Sequence, residues 1–248
     1  MKFKKRGIAI VLSSLIIASS INLFPIHAEN IGNSDNNLIS EETLIETTNG
    51  FKLNYKQFED GKDVYYFEEC VEDTIYTKKY IKVDNELELI SEVNTRFITD
   101  NNDCILEIND ITNNKITTQT LENILVDDSE TYAVNRKPHP KDKTYMFNYA
   151  TMGHEGVHNM SKAVLCGVVA RIAGGTIKTG VAVSVATAII NGGWSNLYYK
   201  REMYIPNTAT GSIKGKPIWK QVTYYYRDKN RKYKVGDTIY SQATSFVK

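Results

Sequence analysis

The stretch of sequence that decides the first part of the fold is GFKLNYKQFEDGKDVYYFEEC, residues 50–70. Apolar side chains occupy every second position, at Phe51, Leu53 and Tyr55 and again at Val64 and Tyr66. The two runs flank an Asp-Gly pair, which favours the tight turn of a β-hairpin. A period of two residues indicates strands that bury one face and expose the other.

The same alternation continues as far as residue 126. It recurs around Val93, Phe97 and Ile105, and turns rich in Asp and Asn separate the runs. Strands that follow one another through short turns pair as an antiparallel meander. We therefore expect residues 49–126 to form an acidic β-domain.

The period changes after residues 127–144, which contain two closely spaced prolines and have the composition of a linker. Residues 160–191 consist mainly of Ala, Val, Ile, Gly, Ser and Thr. Their charged residues are only Lys162, Arg171 and Lys178. Gly174-Gly175 divides the run into two segments, each shorter than the roughly 20 residues that cross a bilayer. This pattern predicts a Gly/Ala-rich helical hairpin within residues 145–193.

Residues 194–248 are rich in Tyr, Trp, Lys and Arg, and the runs 222–226 and 238–246 are typical of strands. They predict a basic, aromatic β-hairpin. The whole chain is therefore expected to have an α+β fold, with an N-terminal antiparallel β-meander domain, a Gly/Ala-rich helical hairpin and this C-terminal hairpin.

The chain of 248 residues has 30 Lys+Arg and 29 Asp+Glu, so its formal charge is only +1. The charge is unevenly distributed: residues 29–150 hold 12 basic and 25 acidic side chains, and residues 151–248 hold 14 basic and four acidic ones. A hydrophobic content of 42% excludes a wholly disordered chain, and the composition excludes collagen-like and multi-pass membrane proteins. An acidic half joined to a basic half is the strongest compositional signal.

Residues 1–28 have the layout of a Sec-type signal peptide. A basic start that includes Lys2 and Arg6 precedes the apolar run 8–18, and Ala28 offers a small residue for cleavage. We therefore expect a secreted protein; an uncleaved signal anchor is the alternative, because Ile26 is bulkier than a cleavage site prefers. The polar residues 29–48 are expected to be a flexible acidic lead-in.

Three cysteines are an odd number for an exported protein. Cys70 and Cys104 both lie in the acidic half, and a disulfide joins them if the strands bring them together. Cys166 lies in the apolar run and is expected to be a small buried residue rather than a nucleophile.

Small residues recur at every fourth position of the second apolar segment, at Thr176, Gly180, Ser184, Ala188 and Gly192. Such a ladder lets another helix approach closely, either in a membrane or in the core of a soluble domain. Flanking cations and the tryptophans of the basic tail suit a surface between lipid and water. The residues predicted to interact with a membrane are Arg171, Lys178, Gly180, Ser184, Ala188, Trp194 and Trp219.

One motif carries catalytic chemistry: HEGVH, residues 154–158, matches H-E-x-x-H. On a helix, His154 and His158 would lie one turn apart and bind one Zn²⁺, and Glu155 would act as general base. The motif resembles the zincin metallopeptidase signature. That resemblance implies zinc as the cofactor, with the two histidines as its ligands.

Two features depart from that family. Gly156 weakens a helix, and no His, Asp or Glu occurs between Asn159 and Arg201 to act as third ligand. The alternative is a polar helix entry whose two histidines are solvent-exposed or hydrogen-bonded. No G-x-S-x-G motif, P-loop or dinucleotide fingerprint is present.

In the order of its parts the chain resembles large secreted bacteriocin-like proteins of Gram-positive bacteria, through its small-residue ladder (176–192) and basic tail (194–248). The resemblance implies a cationic, apolar half that acts on anionic bacterial membranes. The acidic half is then expected to be a masking region or pro-region, because its charge is opposite. The expected partners are an anionic membrane or cell-wall polymer and an immunity or processing protein, not nucleic acid. A secreted zinc metallopeptidase and a non-enzymatic cell-wall or surface binding protein are the alternatives.

Overall fold

The computed structural model describes residues 39–100, 103–121, 137–174 and 179–247. These residues belong to one compact unit. The expected signal peptide lies outside the described residues, as do residues 29–38 of the expected lead-in and residues 127–136 of the expected linker.

The first sheet has seven strands, and each pairs antiparallel with the next along the chain. The strands are β1 Ile39–Thr47, β2 Gly50–Glu59, β3 Lys62–Val71, β4 Thr74–Val83, β5 Glu86–Asp100, β6 Asp103–Asp110 and β7 Lys115–Leu121. Two of its hairpin turns have positive φ at both of their residues, namely Asp60 with Gly61 and Asp84 with Asn85. Positive φ values twist a hairpin turn to match the twist of its strands.

Alternate residues of this sheet point to one buried face. Phe51, Leu53 and Tyr55 of β2 are buried there, together with Val64 and Tyr66 of β3. The intervening residues are mostly exposed or half-buried, as the period of two requires.

The second sheet has five strands in the order β12-β11-β10-β9-β8, all antiparallel. The strands are β8 Pro138–His139, β9 Asp142–Gly156, β10 Asn196–Pro206, β11 Lys220–Tyr226 and β12 Lys234–Gln242. A short 3₁₀ helix, Thr208–Thr210, lies between β10 and β11.

Two helices, α1 Lys162–Ile172 and α2 Thr179–Gly192, pack with both sheets in one hydrophobic core. Every residue of α1 except Arg171 is buried. The helix begins after Ser161, whose backbone is extended, and ends before Gly174, whose φ of +67° favours glycine. At Gly167 the helix lies too close to β5 for a side chain to fit, because an added Cβ would lie 2.3 Å from the Phe97 ring.

The two sheets contact opposite ends of α1. At its start, the Lys162 amide donates to the Tyr55 hydroxyl (3.1 Å) and the Ala163 amide donates to the Glu68 carboxylate (2.9 Å), both acceptors from the first sheet. At its end, groups of the second sheet donate to the last carbonyls. These are the Tyr225 hydroxyl to Val169 (2.5 Å), the Gln221 amide to Ile172 (3.3 Å) and the Ser241 hydroxyl to Ala173 (2.5 Å).

Ion pairs also join the acidic and basic halves of the sequence. Lys162 pairs with Glu42 of β1, and Arg171 pairs with Asp73 in the turn between β3 and β4. The two halves therefore share both a core and a set of charge pairs.

The expected α+β architecture is wrong, because the described chain is mostly β, with two sheets and only two helices. The apolar helices are core elements packed against both sheets, not a separate Gly/Ala-rich hairpin region, and residues 175–178 between them lie outside the described residues. The basic tail is not an isolated hairpin either, since β10, β11 and β12 join β8 and β9 in one sheet. A nearly uncharged helix can be buried on all sides in a core, or it can pair with a second such helix in a separate hairpin. The composition of the segment does not distinguish these two structures.

The expected disulfide does not form. Cys70, Cys104 and Cys166 are all free and buried. Burial raises the pKa of the Cys70 thiol to about 11, and it raises the pKa values of Cys104 and Cys166 as well. Protonated, buried thiols are poor nucleophiles, so the three cysteines act as small core residues.

Candidate functional site

The H-E-x-x-H motif does not lie on a helix. His154 and Glu155 belong to β9, which ends at Gly156, and His158 follows in a turn. Neighbouring residues of a strand point to opposite faces. Glu155 is accordingly buried, whereas the His154 ring stacks on Tyr198 of β10, with 5.7 Å between ring centroids.

The motif therefore lacks the arrangement on which the zinc interpretation depends. Two histidines one helical turn apart require a helix at 154–158, but here the chain is a strand as far as Gly156 and a turn at His158. Within the described ranges, no group of three His, Cys, Asp or Glu side chains could hold a metal ion.

The residues predicted to contact a membrane are dispersed, and several are sheltered. Arg171 is paired with Asp73, and Ser184 and Ala188 are half-buried on α2. A Cβ added at Gly236 of β12 would lie 3.2 Å from the Ser184 hydroxyl. The small side chain of Ser184 therefore lets strand β12 approach the helix closely. Gly180 lies in the first turn of α2, and Lys178 lies outside the described residues. Neither described helix is long and apolar enough to cross a membrane.

The two tryptophans lie apart. Trp194 is half-buried just after α2, where its ring packs so closely on Gly192 that an added Cβ would lie 2.3 Å from it. Trp219 is half-buried next to β11, and its carbonyl accepts a hydrogen bond from the Ala243 amide.

The outer face of the five-stranded sheet carries a second hydrophobic cluster, separate from the main core. Tyr145, Phe147 and Ala150 of β9, Tyr204 of β10 and Val222 of β11 are buried in it. Tyr224 and Tyr240 pack against them and are half-buried. The sheet is therefore covered by aromatic side chains on the side away from the helices.

Lysines lie over this aromatic cluster. The pairs, with the distance from Nζ to the ring centroid, are Lys141 over Tyr240 (3.8 Å), Lys220 over Tyr145 (4.6 Å), Lys137 over Phe147 (5.6 Å) and Lys234 over Tyr224 (5.9 Å). Cations at these distances are attracted by the ring faces. We call this surface, with Lys200 and Tyr198 beside it, the lysine–tyrosine face.

Glu202 is the buried carboxylate of this face. It accepts hydrogen bonds from Lys137 Nζ (2.8 Å) and the Tyr204 hydroxyl (2.7 Å), and Lys200 Nζ lies 3.1 Å away. Burial alone would raise the pKa of Glu202, but these hydrogen bonds outweigh it, and the pKa lies below its ordinary value. Glu202 thus holds two lysines in fixed positions.

His139 lies at the edge of the same cluster. Its ring is buried edge-on against Tyr204 and Tyr240, and its Nδ1 accepts from the Lys141 amide (3.2 Å). Burial, and then the charge of Lys220, lower the pKa of His139. The imidazole therefore stays neutral to a lower pH than a free histidine does.

The balance of charge on the face is positive. Its lysines are Lys137, Lys141, Lys200, Lys220 and Lys234. The carboxylates that pair with them are Glu202 and Asp142, the latter 2.6 Å from Lys220. Five cations against two anions leave an excess of positive charge above a layer of aromatic rings.

Sequence reasoning found only part of this face. The basic, aromatic tail supplies Lys200, Lys220 and Tyr240, but Lys137 and Lys141 come from the expected linker. The sheet brings these distant stretches together. The signal that could have found them is the sequence around Tyr145 and Phe147, in which aromatic and basic residues are interleaved as they are in the tail.

A cleft of about 830 Å³ lies between the buried face of the first sheet and the helices. His158 and Trp194 both line it. Comparisons of the chain with protein-family models, with curated proteins and with solved structures give no match.

Proposed function

We propose that this is a secreted, non-enzymatic binding protein that holds an anionic polymer of a cell wall or membrane surface on its lysine–tyrosine face. The observation that carries the proposal is the set of four lysines held over aromatic rings around Glu202. Phosphate and carboxylate groups are the ligands that such a surface attracts.

Preorganisation supports binding at this face. A free lysine side chain loses much rotational freedom when it binds, and that loss weakens association. Lys137 and Lys200 are already fixed by Glu202, and Lys141 and Lys234 by the rings beneath them. Part of the entropic cost is therefore met during folding.

Binding at the surface fits the fold better than insertion of the apolar segment into a bilayer. Residues of α1 and α2 belong to the main core, so insertion would require them to leave both sheets. The lysine–tyrosine face needs no such rearrangement. The acidic half would then act as the scaffold of the binding unit rather than as a mask to be removed.

The test is cosedimentation of the purified protein with an insoluble anionic polymer, such as a phosphorylated cellulose, at increasing salt. We expect binding that weakens as salt rises, because screening reduces attraction between exposed charges. The triple variant Lys137→Gln, Lys141→Gln, Lys234→Gln should bind about tenfold more weakly, at a few tenths to 1 kcal/mol for each exposed charge.

The matched control removes three lysines from the first sheet, in the variant Lys52→Gln, Lys82→Gln, Lys115→Gln. It has the same net charge as the test variant, so a nonspecific effect of charge would weaken both equally. Equal weakening, or binding of the parent protein that does not depend on salt, would contradict the proposal.

A further inference from the structure

We infer that the cleft between the seven-stranded sheet and the helices is a binding site for a small, uncharged, amphipathic molecule. Its volume of about 830 Å³ falls within the roughly 300–1,000 Å³ of small-molecule sites. It is a different surface from the lysine–tyrosine face, and the inference does not rest on the function proposed for that face.

The cleft opens where the first sheet changes its pairing. The register of β4 with β5 shifts between Lys79 and Tyr80, which leaves Ile90 as an extra residue in β5. Residues 82–90 beyond this bulge are exposed, while Lys79 and Ser91 beside it line the cleft.

One wall of the cleft is apolar. Val164 and Leu165 of α1 and Ile189 of α2 reach it from the core, and Trp194 borders it with part of its ring exposed. Val93 of β5 lies across from them on the sheet and is half-buried. An apolar portion of a ligand would remove mainly the exposed parts of Trp194 and Val93 from water, at about 25 cal/mol for each Å², because Val164, Leu165 and Ile189 are already buried.

The other wall is polar. Two of its three charged residues, Glu59 and Lys79, compensate each other, and the third, Asp60, is exposed to solvent. Glu59, Tyr66 and Lys79 come from three adjacent strands and line the cleft together. The Tyr66 hydroxyl donates to Glu59, and Lys79 Nζ lies 3.7 Å from Glu59 and 4.8 Å from the centre of the Tyr66 ring. A charged ligand would have to displace one member of this set.

Uncharged polar groups surround these three residues. Gln57, Ser91 and Gln119 supply amides and a hydroxyl from the sheet, and Asn159 and Ser195 supply others from the opposite rim. Hydroxyl or amide groups of a ligand can exchange hydrogen bonds with them at little electrostatic cost. Because Glu59 and Lys79 are paired and the charge of Asp60 is exposed to water, the apolar and polar walls together favour a molecule with both characters and no net charge.

The probe for the test is octyl glucoside, an uncharged amphipath, used below its critical micelle concentration. The readout is the fluorescence of Trp194, isolated in a Trp219→Phe background, because Trp219 does not line the cleft. We expect saturable binding of one molecule per chain with a blue shift of the emission. Octanoate and octylammonium, which carry opposite charges on the same chain, should bind more weakly.

The variant Val93→Phe fills the cleft from the sheet and should weaken binding by about tenfold or more. The matched control is Thr118→Phe, on the exposed face of the same sheet, which should leave the affinity unchanged. Ser91→Phe fills the cleft from a half-buried position and replaces the first variant if circular dichroism shows that Val93→Phe does not fold.

Absence of saturable binding would overturn the inference, and so would equal loss of affinity in the test and control variants. Octanoate or octylammonium binding as tightly as octyl glucoside would overturn the ligand class. Glucose alone binding as tightly would show that the apolar wall plays no part.

Discussion

The seven-stranded and five-stranded sheets contact opposite ends of α1 with opposite kinds of group. The first sheet offers acceptors, Glu68 and Tyr55, to amides at the helix start. The second offers donors, including Tyr225 and Ser241, to carbonyls at the helix end. Each sheet thus supplies the kind of hydrogen-bonding group that the free backbone groups at its end of the helix need.

The sheets also differ in their second faces. The outer face of the five-stranded sheet carries its own aromatic cluster, whereas on the first sheet the face away from the helices is mostly exposed or half-buried. A second cluster fixes side chains in place on the surface. This difference is why the lysine–tyrosine face is the better candidate for recognition.

The contact between α1 and the first sheet is tested by a substitution of Gly167. Gly167→Val would place side-chain atoms where the Phe97 ring lies, and we expect a loss of about 3 kcal/mol in the free energy of unfolding. The measurement is urea unfolding followed by circular dichroism. Gly156→Val, whose Cβ would meet no atom within 4 Å, should change stability by less than about 0.5 kcal/mol. Equal effects at the two glycines would show that the contact is unimportant.

The hydrogen bonds at the start of α1 are tested by a substitution of Glu68. Burial raises the pKa of this carboxyl above its ordinary value of 4.5, against the hydrogen bonds from Ser161, Ala163 and Thr77. The folded state therefore binds the proton more tightly than the unfolded state. Protonated Glu68 therefore stabilises the folded state. This stabilisation is fully present below the pKa of Glu68 in the unfolded chain, and it is lost as pH rises through the pKa of Glu68 in the folded protein.

Glu68→Gln removes this titration while keeping an acceptor oxygen, at an expected cost of about 1–2 kcal/mol in acid. The deficit of the variant relative to the parent should shrink as pH rises above the ordinary carboxyl pKa of 4.5. Glu69→Gln, at an exposed side chain of the same strand, is the control. Its difference from the parent in the free energy of unfolding should not shrink in this way as pH rises. A constant deficit for Glu68→Gln would refute the account of its pKa.

The donor end is tested by Tyr225→Phe, the smallest change of the three. It removes only the hydroxyl that donates to Val169, and we expect a loss of about 1 kcal/mol in the free energy of unfolding. Tyr233→Phe, at a side chain that is 55% exposed, should have no measurable effect. If both variants unfold like the parent protein, the hydroxyl at the helix end contributes nothing.

Sequence reasoning reached some of this fold through local patterns. The period of two at Phe51, Leu53 and Tyr55 is visible because one face of β2 is buried and the other is exposed. In β9 the pattern fails, since Tyr145 and Phe147 cover the outer face while Glu155 is buried on the opposite one. A strand covered on both faces shows no clear alternation.

The candidate site was harder to predict than the strands. The HEGVH motif predicted a helix because its five residues match the H-E-x-x-H spacing. In the structure, β9 continues through His154 and pairs with β10. Strand pairing between residues some 40 apart leaves no local trace. The lysine–tyrosine face depends on the same kind of distant pairing.

The ion pair between Glu42 and the fully buried Lys162 has a consequence for the order in which the molecule forms. The two residues are 120 positions apart, so a chain made from its N-terminus contains β1 long before the counterion exists. Contacts of such long separation slow folding, because a large loop must close before they form. β1, the first strand of the described residues, can pair with β2 through its short turn at once, but Glu42 meets its counterion only after α1 has been synthesised.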